Sequence, residues 1–390
     1  MKVAFVVQRY GLEISGGAEL HCRWVTEHMK KYWDVEILTT RALDYITWEN
    51  YYPPSSAVVN GVPVKRFPVI KTRNPERFGK VQNIVLKREH KEEDEILWLE
   101  EEGPFSPALI DYIKGHRDDY EYFIFFSYRY YHSYWGIKAA PYKSILVPTA
   151  EHDPIIYLKI FKDLFRKPRG IVYNSAEEKR LINTVSGNEN VDGEIAGVGA
   201  EVPKELFLKK FCQKYGIKDD YIIYIGRIDK NKGCSELFDF FIRYKEETGS
   251  NIKLVLVGST VLKIPVHPDI IYLGFLSEEE KFSALNKALL LLMPSFYESL
   301  SMVTNEAWAM HKPVLANACC EVLKGQCERS RAGLYYKNYR EFKEALLLFL
   351  GSSRLRSCMG KNGRKYFQDN YTWGTIEKKY LSLLKRLEKE

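Results

Sequence analysis

Glu298 and Glu306 stand eight positions apart in a stretch running from Met293 to Leu315. The apolar block Ala288 to Met293 ends at Pro294, which suits a buried parallel strand followed by a loop, so Glu298 falls on that loop. Small and apolar residues recur at helical spacing from Leu300 to Met310 and stop before Pro313. Glu306 is therefore expected within a helix whose first turn follows Ser299 or Ser301. A strand feeding a helix N-terminus offers backbone N–H groups to a diphosphate, and two carboxylates nearby can accept hydrogen bonds from sugar and ribose hydroxyls. A second group of residues fits the same chemistry. Tyr221 to Ile225 reads as a strand and Gly226 as a turn, with Arg227 and Lys232 projecting from the connection where open α/β sheets hold ligands. A guanidinium grips phosphate oxygens bidentately and an ammonium adds a point charge.

Two further turns sit in the first half. Gly16 and Gly17 precede an amphipathic helix, but their spacing is not GxGxxG and no acidic residue follows the second strand as a dinucleotide enzyme requires, which argues against a dehydrogenase. Beyond the strand Ile145 to Pro148 lie Glu151, His152 and Asp153. A neutral imidazole donates and accepts at once, which suits orienting a polyol, and a His–Asp pair that only pins the loop is the competing reading.

The ordered series of strand, Pro-Ser, aromatic-Glu298, Asn-Glu306-Ala and Lys-Pro-Val, together with the Gly226-Arg227 and Lys232-Gly233 pairs, resembles the retaining glycosyltransferases of family 4. The resemblance is most specific from Tyr221 to Gly333. It implies an α/β chain of GT-B architecture, two facing Rossmann-like doubly wound domains with a cleft between them, and a nucleotide-diphosphate sugar, UDP- or GDP-linked, as donor. It assigns catalytic roles to His152, Arg227, Lys232 and Glu298, with Glu298 on the transferred sugar and Glu306 on the ribose. Donor contacts fall to Gly16, Gly17, Gly226, Glu306 and the backbone of Ser299, Leu300, Ser301, Met302 and Val303. Retention in this family needs no protein nucleophile and no cofactor, and a metal-independent reaction is expected because no Asp-x-Asp motif appears. The chain departs from the common pattern at Ser299, Ser301 and His311, where glycine is frequent. His311 reads as a helix cap, and the serines bear on donor identity. Phe275 and Leu276 are candidates for apolar contact with the base, with core packing as the other reading.

For the acceptor, a glycan or lipid-linked molecule, the aromatic run after the strand Tyr122 to Phe126 supplies Tyr128, Arg129, Tyr131 and His132, since aromatic faces stack on sugar rings. Core packing of an aromatic-rich helix reads the same. Tyr157 to Arg169 interleaves apolar and basic residues, as an interfacial helix in peripheral contact with a membrane would, or a surface helix.

The 390-residue length predicts two domains, placed at 1–203 and 204–374, with a helix over 375–390 packing back on the first. Strand-like blocks alternate with helical stretches throughout, as in parallel sheets covered on both faces. No apolar run spans a bilayer and seven scattered cysteines fit a reducing compartment, so a cytoplasmic location is expected. Cys319, Cys320 and Cys327 are poorly spaced for zinc. The net charge of +7 favours anionic partners without choosing among them, and no nucleic acid is expected. The charged segment Lys87 to Glu102 reads as a solvated helix or mobile excursion. A nucleotide-sugar epimerase of the same fold and a non-catalytic sugar-nucleotide-binding protein are the rival functions.

Overall fold

A computed structural model describes residues 1–388 apart from Ser15, Ser55 and Arg88. The chain divides into two units, Met1–Val198 with Glu377–Glu390, and Gly199–Ile376.

Unit 1 is built on eight strands: β1 (Lys2–Val6), β2 (Asp34–Thr40), β3 (Ala57–Val59), β4 (Val62–Phe67), β5 (Tyr122–Phe126), β6 (Ser144–Val147), β7 (Gly170–Tyr173) and β8 (Asp192–Ile195). Their order is β3-β4-β2-β1-β5-β6-β7-β8, parallel except for β3 against β4. That hairpin turns at Asn60 and Gly61, both with positive φ, as a two-residue turn matching strand twist demands. The central strands are apolar because both faces are covered. Phe123, Phe125, Leu146 and Ile171 belong to one core with residues of the flanking helices. The helices of unit 1 are α1 (Gly17–Met29), α2 (Pro75–Val85), α3 (Glu92–Glu102), α4 (Pro107–Gly115), α5 (Tyr131–Ala139), α6 (Lys159–Leu164) and α7 (Ala176–Ser186), all but α1 contributing to that core.

Two expectations are corrected here. The charged segment ending at Glu102 forms α3, which is no solvated excursion. Trp98 and Leu99 are fully buried, and Glu95, Glu101 and Glu102 are buried with partners of their own. Arg88 in that segment lies outside the described residues. The stretch from Tyr157 folds into a short turn and α6, and its apolar residues Ile160, Phe161, Leu164 and Phe165 are spent on the unit's own core rather than left for a membrane.

Unit 2 carries β9 (Tyr221–Ile225), β10 (Lys253–Val257), β11 (Ile270–Tyr272), β12 (Leu291–Met293), β13 (Val314–Asn317) and β14 (Gly333–Tyr336), all parallel in the order β11-β10-β9-β12-β13-β14. Its helices are α8 (Leu208–Tyr215), α9 (Cys234–Thr248), α10 (Glu278–Lys287), α11 (Met302–Ala309), α12 (Glu321–Ser330), α13 (Tyr339–Gly351), α14 (Ser353–Asn370) and the start of α15 (Trp373–Leu387). The order reverses between β9 and β12. The loops leaving those strands therefore diverge and open a crevice at the carboxyl edge of the sheet, where such folds place ligands.

From Glu377 onward α15 belongs to unit 1. Tyr380, Leu383, Leu384 and Leu387 are buried. Glu377 accepts hydrogen bonds from Lys31 Nζ at 2.7 Å and Tyr32 Oη at 3.0 Å, and Arg386 pairs with Asp192 at 2.9 Å. The last two positions of the expected terminal helix lie outside the described residues. Among the described residues, no helix is long and apolar enough to cross a membrane.

Candidate functional site

The switch point of unit 2 gathers most of the donor-side residues. Gly226 leaves β9 at φ 152°, and its N–H donates to Val257 O at 2.9 Å. Asp229 then shapes the turn. One carboxylate oxygen accepts the Lys232 N–H at 2.8 Å and the other is paired with Arg227 Nε. Gly233 closes the turn at φ 70° and starts α9, and a Cβ there would lie 2.0 Å from Pro294 O. The two loops are tied again where Phe296 N–H donates to Asn231 O at 3.2 Å. This backbone lacing delivers Lys232 Nζ to Glu298 Oε1 at 2.8 Å. Asn317, at the end of β13, supports the same loop through Nδ2 to Pro294 O at 3.0 Å.

Ser301 caps α11, its Oγ accepting the Thr304 N–H at 3.2 Å, so the helix starts at Met302, after the second of the two serines expected to precede it. Glu306, one and a half turns along, is 3% exposed. Its Oε1 accepts from Lys281 Nζ at 2.8 Å, while Oε2 is buried without a donor among the described residues. Burial raises the Glu306 carboxyl above the usual range and Lys281 opposes that rise. For Lys281 itself, burial lowers the pKa but Glu306 and Glu278 more than offset it. A half-satisfied buried carboxylate is costly unless a donor completes it, and a ligand hydroxyl is such a donor. His311 follows α11 at φ 57°, the left-handed position expected of a cap. Leu276 is buried and Phe275 is 75% exposed, so of the two only Phe275 presents apolar surface to solvent.

In unit 1, Gly16 is the N-cap of α1 and Gly17 its first residue. A Cβ on Gly16 would meet Glu19 Oε2 at 2.3 Å, and Glu19 is engaged by Arg9 Nε at 2.8 Å. His152 is exposed, with Nε2 2.7 Å from Tyr157 Oη. Asp153 caps the following turn through Ile155 N–H at 3.2 Å and receives Arg129 at 3.2 Å. The acceptor expectation is corrected for three of its four residues. Tyr128, Tyr131 and His132 are 2%, 8% and 0% exposed, with Tyr128 against Phe161 and Phe165 and His132 Nε2 on Phe126 O at 3.1 Å. Rings closed in this way offer no stacking face. Arg129 is likewise committed, to Glu102 and Asp153, and those carboxylates hold its charge firmly against burial.

Glu178, on α7, joins two strand ends: Oε1 accepts Ala150 N–H and Oε2 accepts Asn174 N–H, each at 2.5 Å. Burial pushes its carboxyl from 4.5 up to about 8, and the two N–H groups pull the other way without cancelling the rise. A carboxyl raised on folding favours the native state while protonated. That contribution is complete below pH 4.5 and is lost as pH rises towards 8. Glu178→Gln, which does not titrate, is expected to flatten this part of the stability profile, as chemical denaturation at a series of pH values would show. An unchanged profile would remove Glu178 as its source.

Sequence reasoning missed Asp229, Lys281, Asn317 and Glu178. An Asp three residues before Lys232 is a turn signal that could have exposed the first. Glu178 stands in a Ser-x-x-Glu helix start with Ser175, which is a local signal as well. Nothing local marks Lys281 or Asn317, whose partners lie 25 and 23 positions away.

Residues 194–366 match the family described as Glycosyl transferases group 1. That stretch falls almost entirely on unit 2. The chain is 24% identical over 241 residues to the capsular polysaccharide biosynthesis glycosyltransferase CapM of Staphylococcus aureus, and 27% identical over 169 residues to alpha-D-kanosaminyltransferase of Streptomyces kanamyceticus. The matches cover 57% and 38% of this chain, and 60% and 42% of those relatives. Among solved structures, sucrose-phosphate synthase from Thermosynechococcus elongatus superposes with a TM-score of 0.75 at 15% identity, over 99% of this chain and 98% of that one. Anabaena HepE in complex with UDP-glucose does so with a TM-score of 0.70 at 14% identity, over the whole of both chains. These likenesses show a two-unit α/β fold of GT-B type.

Proposed function

We propose that this protein is a retaining glycosyltransferase of family 4 that moves a sugar from a UDP- or GDP-linked donor to a glycan or lipid-linked acceptor in polysaccharide or glycoconjugate assembly. The observation that carries the reading is the 2.8 Å contact of Lys232 with Glu298 at the sheet's switch point, inside the stretch that matches group 1 glycosyl transferases. CapM is by name a capsular polysaccharide enzyme and HepE was solved with UDP-glucose, which supports the substrate class.

In this reading Arg227 and Lys232 stabilise the charge developing on the departing diphosphate, assisted by the N-terminus of α11. An ammonium has three donors, so Lys232 can hold Glu298 and a phosphate oxygen together. Glu298 accepts from hydroxyls of the transferred sugar, Glu306 from the ribose, and His152 orients the sugar. The acceptor attacks from the face the diphosphate leaves, and the diphosphate takes the acceptor's proton. The cations present supply the charge, so we propose a metal-independent transfer at the cytoplasmic side of a membrane or in the cytoplasm.

The test is to incubate the protein with UDP- and GDP-sugars and candidate acceptors, and to follow nucleotide release and the anomeric configuration of the product by NMR. Acceptor-dependent release with the donor's configuration retained is expected. An inverted product would overturn the mechanism, and conversion of the donor without acceptor would favour an epimerase.

A further inference from the structure

The stretch that follows His152 directly is fastened at both ends by one helix, α3, whose charged sequence reads as a solvated helix or mobile excursion. Glu95 lies under the far end, where Oε1 accepts Lys159 N–H at 3.1 Å and Oε2 accepts Ile160 N–H at 2.9 Å. Glu102 reaches the near end through one intermediary. It accepts from Arg129 Nε at 3.0 Å, and the same guanidinium donates from its other arm to Asp153 at 3.2 Å, one residue from His152. Both glutamates are 5% exposed or less. Burying a carboxylate carries a desolvation cost that only partners of good geometry offset. Glu95 and Glu102 lie seven positions apart, two helical turns, so they leave α3 on the same face. Their targets bracket residues 153–160. Trp98, between them, is fully buried against Phe161 and anchors the helix itself.

We infer that α3 is a positioning element for sugar transfer, in which Glu95 and Glu102 hold the His152 loop in its working geometry from a distance. Neither glutamate touches a reacting atom, and the inference rests on the role given to His152 above. A ring displaced by about 1 Å can slow an enzyme by roughly a hundredfold while leaving the binding of remote parts of the substrate intact. Effects should therefore fall on turnover rather than on nucleotide affinity.

The test uses the full chain with Glu95→Gln and, separately, Glu102→Gln. Glu95→Gln keeps one carbonyl acceptor and is the milder change, which guards against a variant that fails to fold. For each, kcat for transfer, the donor KM, the affinity for the free nucleoside diphosphate, and hydrogen exchange by mass spectrometry are measured. Expected are a fall in kcat of about tenfold or more, KM and nucleotide affinity within about twofold of wild type, and faster exchange confined to peptides covering residues 150–160. Exchange unchanged in that loop, exchange accelerated throughout unit 1, or faster loop exchange with kcat unaltered would each overturn the inference. A wild-type protein that transfers no sugar would instead count against the proposed function, and the exchange arm would still decide whether α3 fixes the loop.

Discussion

Lys232→Ala is expected to lower kcat/KM for the donor by about tenfold to a hundredfold, the loss of one charge-assisted hydrogen bond of roughly 1.5–3 kcal/mol to a charge that grows as the diphosphate leaves. The substitution also strips Glu298 of its 2.8 Å cation, at a carboxylate whose side chain is only 12% exposed. An uncompensated carboxylate beside an incoming diphosphate repels it, so binding and turnover should suffer together. Lys232→Arg keeps the charge but replaces a compact ammonium with a planar fork, and should recover part of the loss. The fold should tolerate both changes, because the backbone of the turn is held by Asp229 and by the Phe296 to Asn231 hydrogen bond. Steady-state kinetics over a donor series, with melting curves as a control, checks this. A change within twofold would remove Lys232 from the mechanism.

Gly233→Ala should act on stability before it acts on chemistry. The residue has φ 70°, a conformation that costs an L side chain about 1–2 kcal/mol. Its Cβ would stand 2.0 Å from Pro294 O and 2.7 Å from the carbonyl carbon, and these are backbone atoms that cannot turn aside. Relief requires the β9 turn and the β12 loop to part, against the Asn317 hydrogen bond that holds Pro294 O from the other side. Strain and overpacking together give a loss of about 2–4 kcal/mol, with a fall in melting temperature on the order of 10 °C for a unit of this size. Gly249 supplies the comparison. It has φ 62° with nothing near its Cβ direction, so Gly249→Ala should cost only the conformational part, about 1–2 kcal/mol. Equal melting temperatures for the two variants would show that the close approach of the loops is not what Gly233 serves.

How far the site could be read in advance depended on how local its causes were. The turn at Gly226, the cap at Ser301 and the left-handed His311 each follow from a few neighbouring residues, and each stands where the spacing placed it. The meeting of Lys232 with Glu298 needed one more fact, that β9 and β12 are neighbours although two strands intervene in sequence. Lys281 on Glu306 was beyond reach because 25 positions and a strand separate them. The aromatic run Tyr128 to His132 misled for a different reason. A ring that stacks on sugar and a ring that fills a core have the same side chain, and here β5 and α6 take them for the core. The misreading of α3 was of the same kind in charge. Glutamates with solvent and glutamates with buried partners 27 and 64 residues away spell the same segment. The polar edge strand β8 went unread for want of an apolar run, and β3 because its three apolar residues are too few to mark a strand.

The central claim is that the switch point of unit 2 holds the diphosphate of a nucleotide sugar, and calorimetric titration of the 390-residue chain with UDP, GDP and their sugars tests it most directly. At least one of these should bind with a dissociation constant in the micromolar to low millimolar range, and Arg227→Ala and Lys232→Ala should each weaken it by about tenfold or more. Absence of binding across the whole panel, or binding that neither substitution alters, would contradict it.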